Sequence, residues 1–240
     1  MKKLLTSAII ALLPISAMSA TILGFQAGAG VWEHDPSGSI KTVLDGANAG
    51  ADLKNDLRLS EEQEGYFYFI VEHPVPIIPN FKYVSTKLTS SGAGAVNFDF
   101  DGITYNTPVN TKIDLNQDDF ILYYEVLDNV ISLDVGLNAK KIEGQVVIDT
   151  DVTTFSETIP MLYAAAEVVL PLGFTIAGDI SLLESGGDSV SDITAKVTYT
   201  TSFMLGVEAG VRSLSVNVDG DNIKSDVEFS GIFAGVYFKF

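Results

Sequence analysis

Alternation with a period of two dominates this chain. Successive side chains of a β-strand point to opposite faces, so residues i, i+2 and i+4 share one face. Over 225–240 one register reads Ile232, Ala234, Val236, Phe238 and Phe240. The other mixes Phe229, Gly231, Phe233, Gly235, Tyr237 and Lys239. Over 21–32, Leu23, Phe25, Ala27, Ala29 and Val31 oppose Gly24, Gln26, Gly28, Gly30 and Trp32. Similar stretches recur at 65–73, 81–88, 120–126, 131–137, 162–170, 174–182, 193–200 and 205–211, predicting about ten strands. Eight is the alternative if one hairpin stays apart from the rest. The connections at 74–80, 128–129, 171–172 and 201–202 are short, and the first is stiffened by Pro74, Pro76 and Pro79. Those at 33–64, 91–117, 149–157, 185–192 and 219–222 are longer or more acidic, and the two kinds alternate. A short helix over 40–59 is compatible with the first of them.

The face away from each apolar stripe decides between architectures. It carries Gln26, Glu72, Lys82, Glu125, Asp134, Asn138, Lys140, Glu167, Asp179, Lys196, Glu208 and Arg212. A soluble sandwich turns such charges to water and gathers its apolar faces into one core. An apolar exterior around a polar interior instead predicts an all-β fold, an antiparallel up-and-down transmembrane barrel. Short periplasmic turns and longer acidic extracellular loops, 33–64 and 91–117 above all, complete that expectation. Ten strands enclose a space that side chains can fill. Glu125, Asp134, Lys140, Glu167, Asp179, Lys196, Glu208 and Arg212 are therefore expected to form a structural charge network in the lumen. Glu208, Asp179, Glu167, Asp134 and Glu125 are the expected partners of Arg212. Glycine on the inner side of the first strand leaves room inside a narrow barrel.

Composition narrows the setting. Residues 1–19 read as a cleaved signal peptide: Lys2 and Lys3, an apolar run, then Ala17-Met18-Ser19. That leaves 20–240 as the barrel. Val236, Phe238 and Phe240 resemble the carboxy-terminal assembly signal read by the outer-membrane barrel insertion machinery. The expected location is the bacterial outer membrane, with its lipid and lipopolysaccharide as partners. A net charge of −17 excludes a nucleic-acid partner, which needs a basic face. Mean hydropathy is nevertheless +0.28, so apolar and acidic residues must be segregated onto different surfaces. The chain has no cysteine, which excludes disulfides and thiolate metal sites. Nothing in the sequence fixes an oligomeric state.

Four stretches carry a resemblance to a known group. They are Gly24-Phe25 with Gly28-Ala29-Gly30-Val31-Trp32, and Asp52-Leu53-Lys54-Asn55-Asp56-Leu57. The others are Glu72-His73-Pro74-Val75-Pro76 with Pro79-Asn80, and Leu122-Tyr123-Tyr124-Glu125 with Leu127-Asp128-Asn129. Together they resemble a little-characterised family of short proteobacterial outer-membrane β-barrel proteins. The resemblance implies fold and location, and brings no activity or catalytic residue.

Chemistry-bearing motifs are sparse. There is no phosphate-binding glycine loop, no HExxH and no GxSxG. Asp149-x-Asp151 and Asp219-x-Asp221 lack the glycine and distal Glu of a calcium loop. His34 in the first long connection, set against Asp118 and Asp119, is the one candidate for an Asp/His hydrolytic dyad. The expectation is no enzyme, no cofactor and no catalytic or metal residues. A filled barrel with a structural or interaction role comes first, a narrow pore for a small solute second, and an outer-membrane hydrolase third.

Overall fold

The computed structural model describes residues 23–44, 47–95, 98–100, 103–105, 108–220 and 223–240. The segment 1–19, and Asp221 and Asn222 of the last connection, lie outside the described residues. Fourteen strands are present among them: β1 (Gly24–Leu44), β2 (Ala47–Asp52), β3 (Glu62–Glu72), β4 (Asn80–Thr86), β5 (Thr89–Ala95), β6 (Phe98–Phe100), β7 (Ile103–Tyr105), β8 (Pro108–Asp128), β9 (Ile131–Ile148), β10 (Asp151–Val169), β11 (Phe174–Ser185), β12 (Asp188–Thr200), β13 (Leu205–Asp219) and β14 (Ile223–Lys239). Ten of these form the barrel wall in the order β1, β3, β4, β8, β9, β10, β11, β12, β13, β14. Every neighbouring pair is antiparallel, and β14 pairs with β1 to close the ring. A single 3-10 turn at Pro171–Gly173 interrupts the strands. Below, the lower end is the one holding the connections 73–79, 129–130, 170–173 and 201–204.

The expected strand count of ten holds, but the strands are longer than the apolar stripes. β1 runs on from Trp32 through Glu33 and His34 to Leu44, where a loop was expected. β2 then folds back against Ser39–Leu44, and a turn at Asp52–Leu57 replaces the helix allowed for 40–59. Asp52 organises that turn, its carboxylate accepting from the backbone N–H of Lys54 and Asn55. Over 91–117, β5 pairs with the upper half of β8, so most of this connection is also wall. The connection expected at 149–157 shrinks to Asp149-Thr150, and that at 185–192 to a turn about Gly186-Gly187. Left-handed φ values of 67° and 105° at these two glycines suit a two-residue hairpin. Asp149 serves its turn by accepting from the backbone N–H of Asn110.

Register explains why the wall sits in lipid. The outer face of β9 reads Ile131, Leu133, Val135, Leu137 and Ala139 before the first charge, Lys141. Equivalent stripes end at Glu33 on β1, Asp118 on β8, Glu184 on β11 and Glu228 on β14. Leu137, Leu162 and Val236 are each more than 60% exposed, although no charged residue shields them. Aromatic residues collect along the lower margin, where Phe174 meets Tyr199 at 5.0 Å and Phe25 meets Phe240 at 6.3 Å. In water, a belt of this size would be an aggregation surface.

Candidate functional site: the filled lumen

Inward-facing positions form layers along the barrel axis. Uppermost is an apolar plug of Ala51, Leu53, Leu57 and Leu59 packed on Val109, Ile113 and Ile148. The segment 53–59, read from sequence as part of an acidic loop, therefore folds back to close the upper lumen. Beneath it Trp32, Leu88, Leu214, Phe229 and Phe233 make a second apolar cluster.

The middle layer is ionic. Lys140 is fully buried, and its three ammonium protons are all placed: on Asp119 Oδ2 at 2.9 Å, Asp192 Oδ2 at 2.9 Å and Gln117 Oε1 at 3.2 Å. Arg212 donates from Nε and Nη2 to the two oxygens of Asp192, at 2.9 and 2.7 Å. Its Nη1 donates to Thr86 Oγ1 at 2.8 Å, and the guanidinium stacks 4.8 Å from the Trp32 ring. The planar fork suits this bidentate grip as a lysine would not. Asn138 ties Asp119 to Ser181 through its amide nitrogen.

Two further pairs complete the layer. Lys196 donates to Glu208 at 2.8 Å, and the Glu208 carboxylate also accepts from the Tyr66 and Tyr68 hydroxyls. Lys82 meets Asp179 at 3.3 Å. Four acids, Asp119, Asp179, Asp192 and Glu208, thus face four bases, Lys82, Lys140, Lys196 and Arg212. Charge balance is what lets so many ions leave water. The tyrosines reach the lumen because glycine lies beneath them. A Cβ on Gly28 would stand 2.6 Å from the Tyr68 ring, and one on Gly30 2.6 Å from the Tyr66 hydroxyl. This bears out the expectation that glycine on β1 makes room inside.

Apolar residues outside, balanced ions inside and a closed ring of even strand number leave one setting, since such girdled barrels are the spanning β-structures of bacterial outer membranes. The chain is an outer-membrane β-barrel. A solved structure shares its fold. The outer membrane protease OmpT from Escherichia coli is 10% identical, with 94% of this chain and 100% of that one covered and a TM-score of 0.61. Ail of Yersinia pestis is 9% identical over 91% of this chain and 99% of its own, at a TM-score of 0.38. OprG of Pseudomonas aeruginosa is 12% identical over 91% and 95%, at 0.35. No family model matches the barrel. No curated protein matches it either.

The structure sorts the expected lumen residues into two groups. Lys140, Asp179, Lys196, Glu208 and Arg212 belong to the ionic layer. Glu125, Asp134 and Glu167 do not join it. Glu125 and Asp134 face each other across β8 and β9 in the lower mouth, near Glu72, and one Asp134 oxygen is buried without a hydrogen bond. Arg212 consequently pairs with none of its five expected partners; Asp192 takes that place. Asp192 was missed by sequence reasoning, and Asp119 was read as a dyad candidate rather than as a member of the network. Both were in reach, because counting in twos from Lys196 or from Glu125 passes through them.

The hydrolytic dyad is not assembled. His34 lies in β1, fully buried between Trp32 at 5.0 Å and Phe229 at 5.8 Å, and neither ring nitrogen has a hydrogen-bond partner. Asp118 points to the outer face, where it accepts from the Tyr83 hydroxyl at 2.6 Å, and Asp119 is held by Lys140 and Asn138. His73 sits at the lower turn as expected. Its Nδ1 accepts from the Val75 N–H, which leaves Nε2 to donate to the Pro79 carbonyl.

A cavity of about 90 Å³ remains beside the ionic layer, lined by Trp32, Tyr66, Asp119, Asn138, Lys196 and Arg212 among others. Buried Trp32 Nε1 and Asn138 Oδ1 lack protein partners there. Its walls mix ionic groups with Ile70, Val84, Ile121 and Phe233, and the unpartnered polar atoms and this volume suit a few ordered waters.

Proposed function

We propose that this barrel is a non-conducting structural or interaction element of the cell envelope, its lumen sealed twice. The observation that carries the reading is the stacking of the Leu53–Leu57–Leu59 plug on a charge-balanced ionic layer. An ion entering the lumen would have to displace Arg212 or Lys140 from carboxylates that already bind them. Phosphates of lipopolysaccharide, bridged by divalent cations, are the natural neighbours of the mostly acidic outer rim above the belt, and the insertion machinery is the assembly partner. The upper end faces outward in this reading, so a cysteine at Thr150 labels with an impermeant reagent on whole cells and one at Asn129 does not.

A narrow pore is the second reading, favoured by the polar cavity beside the network. We do not extend to this chain the protease activity of the E. coli neighbour. The barrel is read as no enzyme, because His34 has no carboxylate to orient it and Asp119 is already engaged. Planar-bilayer recording separates the first two readings. The natural chain should show no steady conductance, whereas the double variant Asp192→Ala/Leu57→Ala, which breaches both seals, should open a measurable current. Steady current through the unmodified barrel would overturn the sealed-lumen reading in favour of the pore.

A further inference from the structure

The two rims of the barrel are built from opposite chemistry. At the lower end every connection carries a large apolar side chain at its tip: Ile77, Val130, Leu172 and Phe203. Their exposures of 84%, 68%, 86% and 81% mean that almost nothing in the protein packs against them. The upper hairpin turns Asp149-Thr150 and Ser185-Gly186-Gly187 are polar or glycine, and the leucines of the upper Asp52–Leu57 turn are buried in the plug.

Backbone conformation sharpens the contrast. Leu172 and Met204, both in lower turns, have φ of 69° and 67°, in the left-handed region that strains L-residues. Glycine or asparagine relieves that strain, and the upper hairpin turns use Gly186, Gly187 and Asp149 at their positive-φ positions, although Arg58 beside the plug shares the left-handed region at 53°. The lower turns hold Leu172, 86% exposed, and Met204, 48% exposed, in strained positions where the protein gives the first almost no packing and the second only part of it. Something outside the protein must reward them.

The height of the belt indicates what that is. On β9 the apolar stripe spans eight residue steps, from Ile131 to Ala139. At about 3.4 Å per step and a tilt near 40°, it covers roughly 21 Å along the barrel axis, against an apolar band of about 25 Å in such barrels. The shortfall lies at an end, and the upper end is closed off by Lys141, Glu33, Asp118 and Glu184. The lower turns carry the apolar surface further through Val130, Leu172 and Phe203, with the exposed Asp128 and Asn129 beside Val130.

We propose that the four lower turns are lipid-embedded feet, inserted into the interfacial layer of the inner leaflet, where they complete the apolar belt and set the depth of the barrel. Ile77, Val130, Leu172 and Phe203 are the inserted side chains, and the occupant of the lower rim is phospholipid. The inference rests on the outer-membrane reading, and its test keeps the two apart.

The natural chain has no cysteine, so single-cysteine variants take one label each. Leu172→Cys, Phe203→Cys, the wall position Leu162→Cys and the upper turn Thr150→Cys are each labelled with an environment-sensitive fluorophore. The labelled barrels are refolded into phosphatidylcholine–phosphatidylglycerol vesicles. Quenching by a lipid bearing a nitroxide near its headgroup is compared with quenching by iodide present on both sides. The expected result is that labels at 172 and 203 follow the one at 162, with strong lipid quenching and iodide quenching several-fold below that at 150. Iodide quenching at 172 and 203 equal to that at 150, with 162 still in lipid, overturns the feet while leaving the membrane reading intact. Shielding of those positions in native membranes but not in vesicles also overturns them, and assigns the rim to a protein partner. Iodide access at 162 would refute the membrane reading itself.

Discussion

The upper plug and the middle layer seal the same lumen by different physics. Seven apolar residues close the upper end, and each contributes separately by leaving water and filling space. Below them, four acids and four bases hold one another: Asp192 binds both Arg212 and Lys140, Lys140 binds Asp119 as well, and Lys196–Glu208 and Lys82–Asp179 stand beside this network as separate pairs. The plug should therefore weaken by increments as residues are removed. The network centred on Asp192 and Lys140 should fail as a unit, since a lost partner strands a buried charge.

The largest effect should come from Asp192→Ala, which leaves Arg212 without a carboxylate and removes one of two from Lys140. Breaking a buried network in this way costs about 3–5 kcal/mol, readable as a lower urea midpoint for unfolding in lipid vesicles. A shift too small to resolve would mean that water, rather than Asp192, solvates the guanidinium.

Leu57→Ala comes next. Removing a buried leucine should cost about 2–4 kcal/mol through lost burial and a residual cavity, yet current should stay absent because the ionic layer still seals. Conductance in Leu57→Ala would show instead that the plug is the principal gate.

Arg212→Lys sharpens the comparison further. Charge is kept, but the two-point grip on Asp192 and the stacking on Trp32 are lost. The expected loss is about 1–2 kcal/mol, since a lysine is a point charge without the planar fork. Full recovery of wild-type stability by lysine would reduce the layer to simple charge balance.

Glu125→Gln should matter least. Glu125 has no ion pair among the described residues, so stability should move by less than about 0.5 kcal/mol. A large loss there would extend the cooperative network down into the acidic mouth.

The sequence-based reading succeeded where lipid imposes the pattern. Outward stripes such as Leu205, Val207, Ala209 and Val211 had to be apolar, and they announced ten strands and the polar inner face behind them. It failed where the wall leaves the bilayer. An apolar stripe measures the thickness of lipid, not the length of a strand, so β1, β8, β9 and β10 looked half as long as they are. Asp192 was assigned to a loop and Asp119 to the rim beside His34, although their strands continue past the last outward hydrophobe. The plug was hidden for another reason. Leu53, Leu57 and Leu59 lie among Asp52, Lys54, Asp56 and Arg58, and only the fold-back of the turn shows which of these side chains face inward.

The seam between β1 and β14 has a kinetic consequence. Seventeen residue pairs join Gln26–Thr42 to Ile223–Lys239, and the partners at its lower end are more than 200 residues apart in sequence. Ring closure must await the last strand, and bringing such distant segments together is slow because the entropy of the intervening chain opposes it. Until then, β1 and β14 are two unpaired edges in search of partners, the form in which strands aggregate most readily. The polypeptide must therefore travel to its membrane open and close only on arrival.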